Sequence, residues 1–134
     1  MTHRLPVRVY YEDTDMGGIV YYANYLKYIE RARSELVEDM GLDQKRMKDE
    51  DGTVFVVRRV EADYLAPARL DDRLVVVTTH APQGQSRWVF QQEVHRGDQV
   101  IFRATVTAVC MSVEGRPQRL PAALRTALEA QATR

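Results

Sequence analysis

One change of hydrophobic period constrains this chain more than any other feature. From about Ala23 to Met40, the residues Tyr25, Ile29, Ala32, Leu36 and Met40 recur every three or four positions, with Leu26 and Val37 widening the stripe. Lys27, Glu30, Arg31, Ser34, Glu38 and Asp39 take the remaining faces, so the segment reads as an amphipathic helix of roughly five turns. Gly41 stands where a left-handed residue ends a helix. On both sides of this helix the period is two. Pro6 to Glu12 alternates Val7, Val9 and Tyr11 against Arg8, Tyr10 and Glu12, the pattern of a strand. Four β-rich runs follow the helix: Thr53 to Leu65, Arg73 to His80, Arg87 to His95 and Gln99 to Ser112. In the last, Val100, Phe102, Ala104, Val106, Ala108 and Cys110 share one face, with Arg103, Thr105 and Thr107 on the other. The connections Pro82-Gln83-Gly84-Gln85 and Arg96-Gly97-Asp98 are short and carry glycine, as antiparallel hairpins require. Asp43 to Glu50 reads as a weaker, charged helical turn, and Pro121 to Ala132 as a short closing helix.

A lone long helix can hide its apolar stripe only against the inner face of the sheet. Strands grouped after a helix, without βαβ alternation, indicate an α+β fold. The expectation is a five-stranded antiparallel sheet wrapped around one long central helix, as a single domain over residues 1–134. A chain of 134 residues with 45% apolar content supplies one such core, and there is no repeat or linker to divide it. Lys plus Arg equals Asp plus Glu at 19 each, which argues against a nucleic-acid partner. No run approaches the roughly 18 apolar residues of a membrane-spanning helix. The opening Met1-Thr2-His3-Arg4-Leu5-Pro6 lacks the apolar stretch of a secretory signal, and the one cysteine, Cys110, cannot form an intrachain disulfide. A cytoplasmic location is the expectation.

The chemistry concentrates between Tyr10 and Tyr28, which hold six of the seven tyrosines. Glu12, Asp13 and Asp15 stand in a glycine-punctuated turn, followed by Gly17, Gly18 and the start of the helix. A helix start presents unpaired N–H groups and partial positive charge, suited to an anion or a developing oxyanion. A carboxylate beside it, with glycines allowing close approach of a ligand, could hydrolyse a thioester, because the leaving thiolate needs little acid assistance. The competing reading is structural: an aspartate near a helix start commonly caps it, and tyrosines commonly pack a core or a subunit interface. Glu12 and Asp13 are read as solvated or structural. Cys110, on an apolar strand face, is read as a buried thiol. No metal or cofactor is expected. His3, His80 and His95 lack ligand spacing, and an Asp13-x-Asp15-x-Gly17 calcium loop would need a glutamate where Asn24 stands.

Val7-Arg8-Val9-Tyr10-Tyr11-Glu12-Asp13-Thr14-Asp15, with Gly18-Ile19-Val20-Tyr21 and Asn24-Tyr25-Leu26, resembles the 4-hydroxybenzoyl-CoA thioesterase family. Glu30-Arg31-Ala32-Arg33-Ser34-Glu35, Phe55-Val56-Val57-Arg58-Arg59 and Tyr64-Leu65-Ala66-Pro67-Ala68-Arg69-Leu70-Asp71-Asp72 are similar to its Tol–Pal-associated acyl-CoA thioesterase branch. The resemblance covers nearly the whole chain. It implies a hot-dog fold that pairs into homodimers or homotetramers. It also implies acyl-CoA substrates, short-chain or aromatic, with acyl carrier protein as an alternative carrier. It makes Asp15 the catalytic nucleophile or general base and the Tyr22 backbone N–H the donor that polarises the thioester carbonyl, with Gly18, Ile19 and Tyr25 as substrate-binding neighbours. Members of that branch commonly carry histidine at the position of Tyr22, whereas the hydroxybenzoyl-specific branch has an aromatic residue there. This departure leaves a non-catalytic acyl-CoA-binding or scaffolding protein as the alternative function. A dehydratase on the same fold ranks below both, since no histidine base lies near the Asp15 turn.

Coenzyme A brings phosphates, and Arg58, Arg59, Arg87, Arg116 and Arg119 are the candidates to meet them. Neighbouring strand residues point to opposite faces, so Arg58 and Arg59 can serve one pocket only if a bulge intervenes.

Overall fold

The computed structural model describes residues 2–132. β1 (His3–Arg8) is followed by a single 3-10 turn (Tyr11–Asp13), the long helix α1 (Asn24–Asp39), and the short α2 (Gln44–Arg46), which widens into a π turn over Met47–Asp51. β2 (Thr53–Tyr64), β3 (Arg73–Gln83), β4 (Arg87–Arg96) and β5 (Gln99–Ser112) come next, and α3 (Ala122–Ala132) closes the chain. The strands form one sheet in the order β1-β3-β4-β5-β2, with every neighbouring pair antiparallel. This is the α+β arrangement expected from the change of period and the hot-dog fold that the resemblance implies, and no helix among the described residues is long and apolar enough to cross a membrane.

α1 forms because its buried residues fall on one stripe: Tyr25, Tyr28, Ile29, Ala32, Leu36 and Val37. It ends in a Schellman motif. Gly41, at φ 80°, donates its N–H to the Glu38 carbonyl at 2.9 Å, and Leu42 donates to the Val37 carbonyl at 3.2 Å. The stripe lies over β1, β3 and β4. Beneath it, Leu74, Val76, Trp88, Phe90, Val94, Phe102 and Val106 form the inner face of the sheet and are all buried. One polar cluster sits at this interface. Gln92, on the inner face of β4, donates to the Ile29 carbonyl (2.9 Å) and the Thr78 hydroxyl (3.0 Å), while its own carbonyl accepts from Arg33 (2.9 Å). Because each amide group has a partner, this buried side chain carries no desolvation penalty left uncompensated.

Three sequence expectations change. The first strand lies three residues earlier than its alternation indicates, because Asp13 folds the chain back: its carboxylate accepts the Tyr10 N–H at 2.9 Å and turns Tyr11–Asp13 into 3-10 geometry. Leu26 leaves the helical stripe and is exposed, whereas Tyr28 joins it. A register shift between Val57 and Arg59 supplies the bulge at Arg58.

The Tyr28 hydroxyl is buried near the Asp13 carboxylate, with no well-formed hydrogen bond among the described residues. Burial, and then the negative charge of nearby Asp13, hold its phenol above the ordinary 10.0. A raised native value means that the associated stability is intact below pH 10 and is lost as pH climbs from the unfolded chain's value through the native one. Tyr28→Phe is therefore expected to leave stability at neutral pH within about 1 kcal/mol of the parent, since it removes a hydroxyl that makes no well-formed hydrogen bond. The same variant should flatten the alkaline decline in thermal melts recorded from about pH 8 to pH 11.

Candidate active site

The segment Asp13 to Ala23 joins the end of β1 to the start of α1 and is held at both ends. The Tyr21 N–H donates to the Asp13 carbonyl at 2.9 Å, and the Val20 N–H donates to the Ala68 carbonyl at 2.8 Å. Inside it, the Asp15 N–H donates to the Ile19 carbonyl (2.9 Å) and the Gly18 N–H to the Asp15 carbonyl (3.0 Å), closing a tight loop. Gly18 makes this turn at φ 76°. Ile19 bridges to Arg69 in the segment after β2.

The two aspartates of this loop have separate environments. Asp13 is 5% exposed, and both carboxylate oxygens are engaged, one by Tyr10 N–H and the other by the Asn24 side-chain amide at 2.7 Å. Asp15 is exposed, with Oδ1 accepting from the Gly17 N–H at 2.8 Å. No other hydrogen bond reaches the Asp15 carboxylate among the described residues. Gly17 must stay small for this: a Cβ there would meet Asp15 Oδ1 at 3.1 Å. Asp15 does not cap α1, whose N-cap position, Ala23, has no side-chain bond. The capping reading thus gives way to an aspartate folded over its own loop.

At the helix start, Asn24 N–H donates to the Tyr21 carbonyl (2.8 Å) and Leu26 N–H to the Ala23 carbonyl (3.2 Å). The Tyr22 N–H has no backbone acceptor among the described residues. The Tyr22 side chain is 61% exposed and meets the Tyr21 ring at 4.9 Å between centroids and the Tyr64 ring at 6.2 Å. The Tyr21 phenol is raised above its ordinary value, mainly by Tyr22 and least by the Asp15 carboxylate. Tyr64 is raised by desolvation first and Tyr22 second. Tyr25, by contrast, is buried, stacked on Phe102 at 4.9 Å, so it forms the floor beneath the exposed rings.

The inner face of β2 continues this apolar surface. Val57, Val60 and Tyr64 lie opposite Ala108, Val106 and Phe102 in the register, yet each is more than two-fifths exposed because α1 covers β1, β3 and β4 and leaves β2 open. Of these, Tyr64 meets the exposed Tyr22 ring next to the Asp15 loop. Of the five arginines singled out, Arg58, Arg59 and Arg87 line one hollow of about 440 Å³ together with Glu61, Gln91 and Thr107. Arg119 instead lines hollows against α3, and Arg116 belongs to the turn in which its N–H meets the Ser112 hydroxyl. Cys110 is buried, and burial pushes its thiol up, away from the reactive thiolate. From sequence, Asp13 reads as solvated or structural, and the structural reading holds; neither it nor Asn24 is named there as a site residue. Asp13 and Asn24 are eleven positions apart, and only the turn between them brings donor to acceptor.

A family model for the thioesterase-like superfamily matches residues 9–128. The chain belongs to that superfamily. It is 40% identical over 120 residues to the acyl-CoA thioester hydrolase YbgC of Escherichia coli, covering 88% of this chain and 89% of that protein. It is 37% identical over 123 residues to the acyl-CoA thioesterase YbgC of Haemophilus influenzae, covering 91% and 90%. A solved structure, a probable thioesterase from Bartonella henselae, superposes with a TM-score of 0.85 at 34% identity, covering 90% of this chain and all of that one. These likenesses agree with the Tol–Pal-associated branch to which the sequence motifs point, and this thioesterase-like protein is a thioester hydrolase.

The Asp15 loop of this thioesterase carries a measurable backbone demand. A Cβ at Gly18 would meet open space, so only its positive φ opposes a larger residue. Gly18→Ala should cost about 1 kcal/mol, seen as a melting temperature lower by a few degrees.

Proposed function

We propose that the protein hydrolyses acyl-CoA thioesters of short-chain or aromatic acids, with Asp15 as the reacting carboxylate and the Tyr22 N–H as the oxyanion donor. The observation that carries this reading is the pairing of an exposed carboxylate, engaged only through Gly17, with an unpaired amide at the adjoining helix start. The names of the curated relatives, acyl-CoA thioesterases both, supply the substrate class.

The chemistry divides as follows. The thioester carbonyl sits with its oxygen toward the Tyr22 N–H and the partial positive charge of the helix start, which stabilise the negative charge that grows there. Asp15 either attacks the carbonyl carbon, giving a mixed anhydride that water then opens, or removes a proton from the attacking water. In both routes the C–S bond breaks, and the thiolate leaves without needing a strong acid, since thiols ionise near pH 8.5. Because the group at position 22 acts through its main chain, a tyrosine serves as well as a histidine. Gly18 and Ile19 let the substrate approach the loop backbone, and Tyr25 supports the rings that receive the acyl group. The exposed rings of Tyr22 and Tyr64, with centroids 6.2 Å apart, suit an apolar or aromatic acyl group.

Arg58, Arg59 and Arg87 are the residues proposed to take the phosphates. Arg116 and Arg119 are proposed in a secondary role only, because they share no hollow with these three. A carrier-protein substrate would engage the same rim through its phosphopantetheine. We further propose a homodimer, or a tetramer built from it. β2 is a twelve-residue edge strand with Val56, Val57 and Val60 exposed, a surface that a second copy would cover. A cytoplasmic location accompanies this reading.

Thiol release from a panel of acetyl-, butyryl-, hexanoyl- and benzoyl-CoA tests the activity. Asp15→Asn should stay folded and lose about a hundredfold or more in turnover. An unchanged rate would remove Asp15 from the mechanism. Thermal stabilisation by these esters without any thiol release would favour the acyl-CoA-binding alternative. Arg59→Ala with Arg87→Ala should raise KM severalfold, leave kcat near the parent value and reduce the dependence of KM on salt. Light scattering should give a mass of two or four chains.

A further inference from the structure

We propose that Asp13 and Asn24 are positioning residues for the reaction, a buried brace that sets the Asp15 loop against the first turn of α1 and keeps the Tyr22 amide free. This inference rests on the assignment of Asp15 and Tyr22 above and adds two side chains to it.

Asp13 is 5% exposed and Asn24 7% exposed, in a place where a polar group left without a partner is costly. Their bond, from Asn24 Nδ2 to Asp13 Oδ1, is 2.7 Å, the shortest side-chain contact of the loop. Asp13 Oδ2 accepts from Tyr10 N–H at 2.9 Å, and the Asp13 carbonyl accepts from Tyr21 N–H at 2.9 Å. One residue thus ties together the chain leaving β1, the 3-10 turn and the entry to α1. The Tyr21 carbonyl is in turn taken by Asn24 N–H at 2.8 Å. Both main-chain groups of Tyr21 are therefore occupied, and the next amide, Tyr22, is left open at the head of the helix start, where Ala23 and Tyr25 N–H also lack a backbone acceptor among the described residues.

The sequence offers side chains that could cap this helix, and the structure uses them otherwise. Asp and Asn are among the strongest capping residues, and a cap contributes about 1 kcal/mol. Here the two bond to each other, and Ala23, at the N-cap position of α1, offers no side-chain cap. An amide left open just before a helix start, with the loop beside it braced from below, is the geometry that an oxyanion donor needs.

The test compares Asn24→Ala, Asp15→Asn and the double exchange Asp13→Asn with Asn24→Asp, using the fastest ester of the CoA panel. Each variant is measured for kcat, KM and melting temperature. The exchange restores the contact with its polarity reversed: the carboxamide donates to the carboxylate, and its oxygen still accepts from Tyr10 N–H. Asn24→Ala, assayed well below its melting temperature, should lose about thirtyfold to a hundredfold in kcat with KM within about threefold of the parent. The double exchange should recover kcat to within about tenfold of the parent. Asn24→Ala that folds and keeps a kcat within about threefold of the parent overturns the proposal. So does an exchange that regains the melting temperature and stays slow, because the pair would then be only structural. Should Asn24→Ala fail to fold, the exchange decides alone, and an exchange that cannot fold also counts against the brace. Asp15→Asn separates the two levels: if it is slow while Asn24→Ala is fast, only the brace falls, and if it is fast, the Asp15 assignment falls first.

Discussion

The sheet order forces the path of the long helix, and the site follows from that path. β1 and β2 lie at opposite edges of the sheet, although only one long helix and a short helical turn separate them in the chain. The chain must therefore leave one edge and cross the inner face to reach the other. Only a segment that is apolar along one side can make that crossing without burying unpaired groups, and a helix satisfies its own backbone on the way. α1 covers β1, β3 and β4, and it starts beside the end of β1. The loop that carries Asp13 and Asp15 is thereby delivered to the N-terminal end of the helix, where main-chain donors are unpaired.

Within that loop, two aspartates two positions apart perform different tasks because one is buried and one is exposed. Asp13 has both carboxylate oxygens occupied and holds the turn together. Asp15 keeps its carboxylate at the surface, steadied by the Gly17 amide. Neither residue could exchange roles with the other, since a buried carboxylate without Tyr10 N–H and Asn24 would carry a large desolvation cost, and an exposed one with both oxygens bound would have little left for chemistry.

Much of this was legible in the residues. The stripe from Tyr25 to Met40, with Gly41 as its stop, gives α1 nearly to its ends, and the alternation from Gln99 to Ser112 gives β5 with its inner face. The hairpin glycines Gly84 and Gly97 mark turns at positive φ. Other features depend on tertiary contacts that no local pattern records. The alternation of β1 runs on to Glu12, but Asp13 ends the strand by reaching back to Tyr10. Leu26 fits the helical stripe and yet is exposed, because the helix lies toward β1 and leaves the side near β2 open. Gln92 breaks the apolar inner face of β4, and its partners come from α1 and β3. For the arginines, spacing alone states that Arg58 and Arg59 diverge, and the bulge between Val57 and Arg59 is what lets both line one hollow with Arg87. At the site itself, Asp15 and the helix start could be picked out, whereas the brace beneath them needs the turn to be folded before donor and acceptor meet.

The central claim is that a thioester carbonyl is held between Tyr22 N–H and the side chain of residue 15. A crystal structure of the Asp15→Asn protein with a bound acyl-CoA tests it most directly. The account predicts the carbonyl oxygen within about 3 Å of the Tyr22 nitrogen, with the carbonyl carbon in reach of the side chain at position 15. A well-ordered acyl-CoA whose carbonyl oxygen is bound away from the start of α1 would contradict it.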